Sequence, residues 1–398
     1  MEIDTTESKI DELLSRSVEE IIPSKKELKE LLCSGKKLRI YIGTDATGTS
    51  LHLGHSTNYI ILEKFRQLGH EVIFLVGDFT SRIGDPTDKG DAVRKQLTRN
   101  DVIENTKTWI DQVKAIIDVE NKQNPVKILF NHDWLASLTF EDVINLASNF
   151  TVQQMIERDM FQKRMSSGKP LYLHELFYPL MQGYDSVAMD VDIEMCGMDQ
   201  KFNALAGRTL LRKLKDKEKF VFITTLLENP VTGEKMMSKS LGTGVFLDFD
   251  EVKMYGAVMA QADENMRQLF VDCTAVSLSE IDAILSAENP RDAKMKLAYE
   301  ITRMYHGDAG AEEGQNAFIE TFQKGGVPDD VLEIKPDYIE ALLGVEIVAS
   351  KTELRRLLEA GGVRDAESGE KLSEIPATVD EPRVLKIGKR RFVKLMPM

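Results

Sequence analysis

The sequence predicts an α/β protein with a doubly wound parallel sheet, followed by a helical region and a small α+β region. From about Lys37 to Leu227, short apolar and β-rich segments alternate with helical patterns, which is typical of a parallel sheet covered by helices. From about Asp248 to Phe322 the pattern becomes helical, with almost no strand signal, and a turn-rich stretch at 324–330 follows. Ligands of a parallel sheet bind beyond the carboxyl ends of its strands, so the turns at that edge are the candidates for a functional site.

Five segments of the first region are predicted strands. In chain order they are Arg39–Ile42, Val72–Val76, Val126–Phe130, Val187–Met195 and Phe220–Leu226. In the helical region, Ser277 with Glu280 predicts a capped helix start. In the last region, a helix over 351–360 is predicted to end at Gly361 and Gly362.

Length, charge and cysteine content limit the class of protein. A chain of 398 residues is long enough for two or three domains. Its net charge of −14 argues against a general positive coat for nucleic acids or membranes, so any RNA contact must come from local patches. The three cysteines are far apart and fit neither a disulfide framework nor a zinc ribbon. The chain shows no apolar signal-peptide core and no run that could span a bilayer, so a cytoplasmic protein is expected.

The stretch from Tyr41 to His55 carries the strongest functional signal. It follows a β-rich run and precedes an amphipathic run, which predicts a strand, a glycine-containing turn and a helix that begins near His52. A helix start presents N–H groups and a partial positive charge, which favour a phosphate, and Gly54 would let a flat nucleobase approach the backbone. On local grounds alone, a structural role for His52 and His55 fits as well as nucleotide binding. One edge of a metal site is a further alternative, but no nearby Cys or His cluster supplies further ligands.

Two further turns and one loop belong to the same predicted site. The segments Gly77–Pro86 and Cys196–Gln200 follow the second and fourth predicted strands, so they lie at the same edge of the sheet. The loop from Lys235 to Ser240, K-M-M-S-K-S, follows the last predicted strand. Lysines on such a loop can stabilise charge that develops on a transferring phosphate, but a lysine-rich loop alone is more often only solvated.

Together, H-L-G-H and K-M-M-S-K-S resemble the H-I-G-H and K-M-S-K-S signatures of the class I aminoacyl-tRNA synthetases, and the further motifs are similar to the bacterial-type tyrosyl-tRNA synthetases. The resemblance extends from about Lys37 to Lys394. It implies four units: an N-terminal helical segment (1–36), a Rossmann-like catalytic domain (37–245), an α-helical anticodon-side domain (246–330) and a small, S-four-like RNA-binding domain (335–398).

The resemblance implies a tyrosine pocket around a segment that matches the family pattern Y-x-x-x-Q-x-x-D. Spacings of three and four residues place Tyr178, Gln182 and Asp185 on one helical face. In the family, the tyrosine and the glutamine hold the substrate ammonium, and the aspartate accepts the phenol hydroxyl. Further family matches are Tyr41 for the phenol, Asp85 for the ammonium and Gln200 beside the carboxylate. On the residues alone, a helix that faces a wet cleft would show the same pattern.

The nucleotide side of the site is implied in the same way. The family matches for ATP are Asp45, Thr47, His52, Gly54, His55, Gly197, Asp199 and Lys239. The residues with implied catalytic roles are His52, His55, Lys235 and Lys239. Mg²⁺ is expected to enter with ATP rather than to occupy a protein cage; neither a tightly bound cofactor nor a protein metal site is expected.

The chain departs from the family pattern at two places on the phosphate side. Met236 stands where the family has the first lysine of the loop, with Lys235 one place earlier. Lys89 matches a phosphate-side lysine, but the arginine expected four places on is displaced to Arg94. The roles of Lys235, Lys89 and Arg94 therefore stay open.

Basic residues in the last region suggest RNA contact. They are Lys351, Arg355 and Arg356 on the predicted helix and Lys389, Arg390 and Arg391 near the terminus. A short charge run is most often a solvated surface, but two patches in one small region favour contact with a phosphate backbone. The family resemblance also implies a homodimer, with its interface near the segment from Trp134 to Met165.

The activity implied by the resemblance is ATP-dependent ligation of L-tyrosine to tRNA(Tyr), with no membrane partner. Two alternatives stay open. A tryptophanyl enzyme has the same fold and signatures, although Asp185 and Tyr41 favour a phenol over an indole. An RNA-binding regulator or splicing cofactor with a relict catalytic domain would fit the altered pair Lys235 and Met236.

Overall fold

A six-stranded sheet organises the first part of the chain in the structure, which is a computed structural model. The strands are β1 (Val18–Ile22), β2 (Arg39–Thr44), β3 (Glu71–Val76), β4 (Lys127–Phe130), β5 (Ile193–Gly197) and β6 (Phe220–Thr224). Their order is β1-β6-β5-β2-β3-β4; the pairs among β2 to β6 are parallel, and β1 joins β6 antiparallel. The predicted α/β fold with a parallel sheet is therefore confirmed.

The structure describes most of the chain. The described residues are 2–46, 48–83, 98–233, 236–237, 244–286, 289–322, 331–345, 347–348, 350–366, 368–388 and 391–397.

Helices connect and cover the strands of this sheet. They are α1 (Glu7–Leu13), α2 (Lys25–Cys33), α3 (Leu53–Gln67), α4 (Thr80–Ile83), α5 (Arg99–Val113), α6 (His132–Leu135), α7 (Phe140–Ala147), α8 (Val152–Ile156), α9 (Asp159–Ser166), α10 (Tyr178–Met189) and α11 (Lys201–Lys215). Short 3-10 turns at Leu173–Phe177 and Met198–Gln200 lead into α10 and α11.

The strand order has a switch point between β2 and β5. From β2 the chain adds β3 and β4 on one side, then crosses to add β5 and β6 on the other. The connections that leave β2 and β5 at their carboxyl ends therefore diverge, which opens a crevice between them. The segments that follow these two strands are the ones in which the sequence predicts the site.

Two sequence predictions about elements of this region are wrong. Val187–Met195 is not one strand, because its first three residues end α10 and only Ile193–Gly197 forms β5. The helix is explained by close packing of α10 on α11, where an ideal Cβ on Gly207 would lie 3.3 Å from Gly183 Cα. The segment 1–36 is not purely helical, because β1 lies between α1 and α2. The charged pair in V-E-E-I-I hides this edge strand from a periodicity argument.

A helical region follows the sheet. It comprises α12 (Glu251–Met259), α13 (Met266–Cys273), α14 (Leu278–Leu285) and α15 (Pro290–Phe322), which is broken at Gly307. Ser277 caps α14 by accepting from the Glu280 N–H, as predicted. The guanidinium of the buried Arg16 donates to carbonyls at the end of α13, among them Thr274 O at 2.7 Å, and so joins the N-terminal segment to this region.

The last region has its own sheet and its own apolar core. Its elements are β7 (Glu333–Ile334), α16 (Tyr338–Gly344), α17 (Lys351–Glu359), β8 (Val363–Asp365), β9 (Arg383–Ile387) and β10 (Arg391–Leu395), with strand order β7-β10-β9-β8. The apolar residues buried here form a cluster separate from the main core. The predicted end of α17 is confirmed, because Gly361 adopts a φ of +66°.

Candidate active site

A buried carboxyl group marks the inner end of the predicted tyrosine pocket. Asp185, on α10, is 3% exposed. Its Oδ1 accepts from the indole Nε1 of Trp134 at 2.7 Å, and its Oδ2 accepts from Asn131 Nδ2 at 3.3 Å. Burial raises the pKa of Asp185 well above its ordinary value, while the two hydrogen bonds lower that pKa. The group is thus desolvated, yet both of its oxygens have donors.

Tyr41, on β2, lies in the same buried environment. It is 1% exposed, and its hydroxyl lies 3.0 Å from Ser186 Oγ. Burial, together with the nearby carboxylates of Glu194 and Asp185, raises the pKa of the Tyr41 hydroxyl well above its ordinary value. Tyr41 therefore stays a neutral phenol that can both donate and accept a hydrogen bond.

The start of α10 meets the end of β2 through a second set of hydrogen bonds. The Tyr178 hydroxyl donates to Asp45 Oδ2 at 2.9 Å, and Thr80 Oγ1 donates to Asp45 Oδ1 at 2.7 Å. This approach needs a glycine at the end of β3, because an ideal Cβ on Gly77 would lie 1.9 Å from Asp45 Oδ1. Tyr178, which is predicted to bind the tyrosine substrate, is thus in direct contact with Asp45, which is predicted to bind ATP.

Gln182 has a defined amide orientation. Its Nε2 donates to Glu194 Oε1 at 3.0 Å, and its Oε1 accepts from Asn203 Nδ2 at 2.9 Å. Asn203 also donates to Gln200 Oε1 at 2.9 Å, so the two predicted glutamines are linked through one buried asparagine. Because the Glu194 carboxylate can only accept when ionised, it must face the Gln182 amide nitrogen.

The two signature histidines lie together where α3 begins. His52 precedes the helix, and its backbone N–H donates to His55 Nδ1 at 3.2 Å. The two rings are 3.9 Å apart between centroids. An ideal Cβ on Gly54 would lie 3.1 Å from the His52 ring, so the glycine leaves room for that ring. A neutral His55 whose Nδ1 accepts carries its proton on Nε2.

The predicted ribose-binding turn follows β5 directly. Gly197 ends the strand, and Asp199 and Gln200 lie in the 3-10 turn before α11. An ideal Cβ on Gly197 would lie 2.8 Å from Asp199 Oδ1, so the turn is closely packed. Asp199 and the start of α3 thus follow β5 and β2, the two strands at the switch point.

Several predicted residues lie outside the described residues. They are Thr47, Asp85, Lys235, Lys239, Lys389 and Arg390, together with Lys89 and Arg94. Met236 is described, and it is 5% exposed and part of the main apolar core. The residue that replaces the first lysine of the loop is therefore a packing residue.

The basic residues of the last region have different environments. Lys351 pairs with Glu340, and Arg391 bonds to Glu353 Oε1 at 3.1 Å. Arg355 and Arg356 are exposed on α17. These residues belong to the region with the second core and are not among the side chains that meet at β2 and β5.

The described part of the chain has neither a metal-binding cluster nor a helix that could span a membrane. No group of three or more His, Cys, Asp or Glu side chains there is arranged to hold a metal ion. None of the helices described is both long and apolar enough to cross a membrane.

Sequence reasoning missed several side chains of the site. They are Asn131 and Trp134 beside Asp185, Thr80 beside Asp45, and Ser186 and Glu194 beside Tyr41 and Gln182. Asn131 directly follows β4, so the rule of strand carboxyl ends would have identified it. Glu194 lies inside a strand, and no local signal distinguishes it from a surface carboxylate.

The sequence is similar to curated tyrosine–tRNA ligases over nearly its whole length. The family model described as "tRNA synthetases class I (W and Y)" matches residues 34–323. A tyrosine–tRNA ligase of Carboxydothermus hydrogenoformans is 40% identical, covering 97% of this chain and 97% of that protein. The tyrosine–tRNA ligase of Thermotoga maritima is 38% identical, covering 96% of each chain.

Solved structures resemble this chain in fold. A truncated mitochondrial tyrosyl-tRNA synthetase of Coccidioides posadasii has a TM-score of 0.63 and 24% identity, covering 77% of this chain and 91% of that one. A tyrosyl-tRNA synthetase of Archaeoglobus fulgidus, complexed with L-tyrosine, has a TM-score of 0.59 and 18% identity, covering 78% of this chain and 100% of that one. At these identities the likeness concerns the fold alone.

Proposed function

The chain belongs to the class I tRNA synthetases of the tryptophan and tyrosine family, and we propose that Asp185 and Tyr41 make it select tyrosine. It is an ATP-dependent tyrosine–tRNA ligase of protein biosynthesis. The enzyme activates L-tyrosine to tyrosyl-adenylate and then transfers the tyrosyl group to tRNA(Tyr).

The observation that carries the choice of tyrosine is the buried pair of a carboxyl and a phenol. The hydroxyl of a bound tyrosine can donate to Asp185 and accept a hydrogen bond from the Tyr41 hydroxyl. Phenylalanine would leave both groups buried without that partner, which costs more than the hydrogen bond itself contributes. The indole of tryptophan is larger than a phenol, and its N–H is at a different position on the ring. It would therefore bond less well to the Asp185 carboxyl and the Tyr41 hydroxyl. The same pocket therefore disfavours tryptophan and phenylalanine for different reasons.

The ammonium of tyrosine needs acceptors at the other end of the pocket. We infer that the Tyr178 oxygen and Gln182 Oε1 supply them, with Asp85 as a third ligand and Gln200 beside the substrate carboxylate. Gln182 Nε2 donates to Glu194, so the carbonyl oxygen of the amide lies on the side of Asn203, where we place the substrate ammonium. A cation meets an acceptor in this orientation and would meet a donor in the other.

The first step is an in-line displacement at phosphorus. A carboxylate oxygen of tyrosine forms a bond to the α-phosphate of ATP, and the bond from that phosphorus to the bridging oxygen breaks, releasing pyrophosphate. No protein side chain becomes a covalent nucleophile. The protein contributes by orienting the two substrates and by stabilising the charge that develops on the phosphates.

The start of α3 fits the phosphate side of this step. His55 carries its proton on Nε2 when neutral, so it can donate to a phosphate oxygen, and His52 stands beside it. We assign the ATP contacts to Asp45, Thr47, Gly54, Gly197 and Asp199. We also propose that Lys239 and Lys235 supply further positive charge to the phosphates. Mg²⁺ is proposed to arrive bound to ATP, where it neutralises phosphate charge.

The second step transfers the acyl group. A terminal ribose hydroxyl of tRNA(Tyr) attacks the carbonyl carbon of tyrosyl-adenylate, loses its proton, and AMP leaves. The exposed Arg355 and Arg356 on α17 support our proposal that the region 335–398 binds the tRNA backbone. Lys351, Lys389, Arg390 and Arg391 are proposed for the same surface, and the helical region 246–330 for the anticodon side. A role in protein biosynthesis supports a cytoplasmic location.

An apolar surface on the catalytic region supports a homodimer. Large apolar side chains are exposed on and after α7, among them Phe140 at 81% and Leu173 at 71%. The others in this stretch are Ile144, Val152, Met165 and Tyr172. A patch of this kind is typical of a protein interface, and it overlaps the segment from Trp134 to Met165 that the family resemblance indicates.

Pyrophosphate exchange tests the activity directly. The purified chain, ATP and labelled pyrophosphate are incubated with tyrosine, tryptophan or phenylalanine. The kcat/KM for exchange is expected to be far higher with tyrosine than with the other two amino acids, and a kcat/KM for tryptophan equal to that for tyrosine would contradict the proposed selection.

The variant Asp185→Ala tests the basis of that selection. It is expected to raise the KM for tyrosine at least about tenfold, because a charged or buried hydrogen bond contributes about 1.5–3 kcal/mol, while the circular dichroism spectrum stays that of the folded protein. Unchanged tyrosine kinetics would remove Asp185 from the pocket.

A further inference from the structure

A buried ion pair lies directly behind the proposed tyrosine pocket. Lys219 immediately precedes β6 and is 0% exposed, and Glu194 on β5 is 1% exposed. The Lys219 ammonium pairs with Glu194 Oε2 and donates to Ser186 Oγ at 2.8 Å. Two buried charges give little stability compared with well-packed apolar residues. The pair therefore needs an explanation other than stability.

The fold makes room for this ammonium. An ideal Cβ on Gly207 of α11 would lie 2.6 Å from Lys219 Nζ and 2.9 Å from Ser186 Oγ. Any other residue at this position would displace the ammonium or the hydroxyl. The lysine thus occupies a space shaped between α10, α11 and the sheet.

One branch of the network leads to Tyr41. Ser186 Oγ accepts from Lys219 and lies 3.3 Å from Glu194 Oε2 and 3.0 Å from the Tyr41 hydroxyl. The Ser186 hydroxyl has one hydrogen, which it can donate either to the Glu194 carboxylate or to the Tyr41 oxygen. The ion pair determines which of these two acceptors receives it. The direction of the Tyr41 hydroxyl towards a substrate phenol follows from that choice.

The other branch leads to Gln182. Glu194 Oε1 accepts from Gln182 Nε2. As long as Glu194 is an acceptor only, the amide cannot turn, and its oxygen remains available to a cation. The Lys219 charge compensates the Glu194 carboxylate, which would otherwise be a buried and uncompensated anion.

We propose that Lys219 and Glu194 are positioning residues for tyrosine recognition. Both act through Ser186 on the direction of the Tyr41 hydroxyl, and Glu194, compensated by Lys219, holds the amide of Gln182. They reach both ends of the substrate, its phenol and its ammonium, without touching it. The inference rests on the proposed function, because it assigns these residues to the same pocket.

The test is a double variant, Lys219→Met with Glu194→Gln. It removes both charges and keeps similar side-chain volumes. The amide of the new glutamine can donate to or accept from Gln182 and Ser186, so the orientation of the Gln182 amide is no longer fixed. The KM for tyrosine in pyrophosphate exchange is expected to rise about tenfold, as for one lost buried hydrogen bond, while the KM for ATP is unchanged. An unchanged tyrosine KM in the folded variant, or equal rises for tyrosine and ATP, would overturn the proposal.

Ser186→Ala removes the hydroxyl that links the ion pair to Tyr41 and leaves both charged residues in place. It decides the question if the double variant does not fold. The preference for tyrosine over phenylalanine, as a ratio of kcat/KM values, is expected to fall about tenfold. The KM for phenylalanine should not change, since phenylalanine has no hydroxyl to position. A preference equal to that of the wild type would overturn the inference.

Glu63→Gln with Arg66→Met is the matched control. These residues form another buried ion pair, on α3, with Arg66 Nη2 2.6 Å from Glu63 Oε1. Its removal should leave the ratio of the two KM values unchanged; a matching change in the control would overturn a specific role for Lys219. Failure of the wild type to exchange with tyrosine would overturn the proposed function itself, and this inference with it.

Discussion

Trp134 and Asn131 influence the ionisation of Asp185, the carboxyl group that we propose selects the substrate. Burial raises the pKa of Asp185, and the indole and amide N–H groups counter this effect by stabilising the carboxylate. Trp134 also packs beside the apolar cluster that contains Tyr41. One indole thus supports both groups that would meet the phenol.

Trp134→Phe separates these two contributions of the indole. The ring and most of its packing remain, but Asp185 loses its donor at 2.7 Å. We expect the KM for tyrosine to rise roughly tenfold or more, because hydrogen bonds to charged groups contribute about 1.5–3 kcal/mol, with little change in the KM for ATP. Steady-state pyrophosphate exchange measures both.

Trp109→Phe is the matched control for that substitution. Trp109 is 4% exposed, and its Nε1 has no hydrogen-bond partner among the described residues. The same loss of ring volume occurs without the loss of a hydrogen bond to Asp185. A tyrosine KM that rises equally in both variants would mean that packing, rather than the hydrogen bond, explains the effect.

At the scale of elements, the site depends on the short distance between the segments that follow β2 and β3. Asp45 follows β2, and Thr80 begins α4 after β3; both lie against the backbone of Gly77. The Tyr178 hydroxyl at the start of α10 completes the contact. Three elements thus converge on one carboxylate, which sets where α10 stands relative to the sheet.

Gly77→Ala is expected to disturb this convergence. A methyl group would overlap Asp45 Oδ1, at 1.9 Å, and Thr80 Oγ1, at 2.4 Å, so Asp45 must move and its bond with Tyr178 is lost. We expect kcat for pyrophosphate exchange to fall at least about tenfold, since a lost buried hydrogen bond of this kind costs 1–3 kcal/mol.

Gly256→Ala is the corresponding control. Nothing lies within 4 Å of an ideal Cβ at Gly256 on α12, and alanine favours a helix over glycine. Activity should be retained there. If Gly77→Ala kept full activity as well, the close approach of Asp45 would not matter for adenylation.

At the scale of the whole molecule, we propose that two surfaces bind partners outside the pocket. The exposed apolar side chains around α7 favour a second copy of the chain. The exposed arginines of α17 favour a phosphate backbone, although the chain as a whole carries a net charge of −14.

Dimerisation is expected to depend on the patch around α7. Phe140→Glu with Ile144→Glu places two charges on one exposed face of that helix. Sedimentation equilibrium should give twice the mass of one chain for the wild type and a shift towards one chain for the variant. Val231→Glu, which alters an apolar residue that is 76% exposed elsewhere, should not change the mass. A wild type of single-chain mass would contradict the dimer.

Binding of tRNA is expected to depend on α17. Arg355→Glu with Arg356→Glu reverses two exposed charges, so the KM for tRNA(Tyr) should rise roughly tenfold or more and depend less steeply on salt. Pyrophosphate exchange needs no tRNA and serves as the internal control; it should be unchanged. Equal aminoacylation by variant and wild type over a range of salt would exclude these arginines from the interface.

The sequence by itself determined the α/β class, the predicted strands that match β2, β3, β4 and β6, and the position of the signature motifs. These features depend on periodicity and on residues close together in the chain. It misassigned the run from Val187, because the buried apolar residues at the end of α10 have the same short apolar pattern as a buried strand. It also missed β1, an edge strand with a charged pair in its middle.

Only the tertiary structure decided which side chains surround the pocket. Trp134 meets Asp185 across 51 residues of chain, and Lys219 meets Ser186 across 33. Neither contact leaves a local pattern, because each depends on how helices and strands cross in space. Motifs near Tyr41 and Tyr178 thus predicted the groups that we propose to contact the substrate. The fold alone revealed the groups that hold them in place.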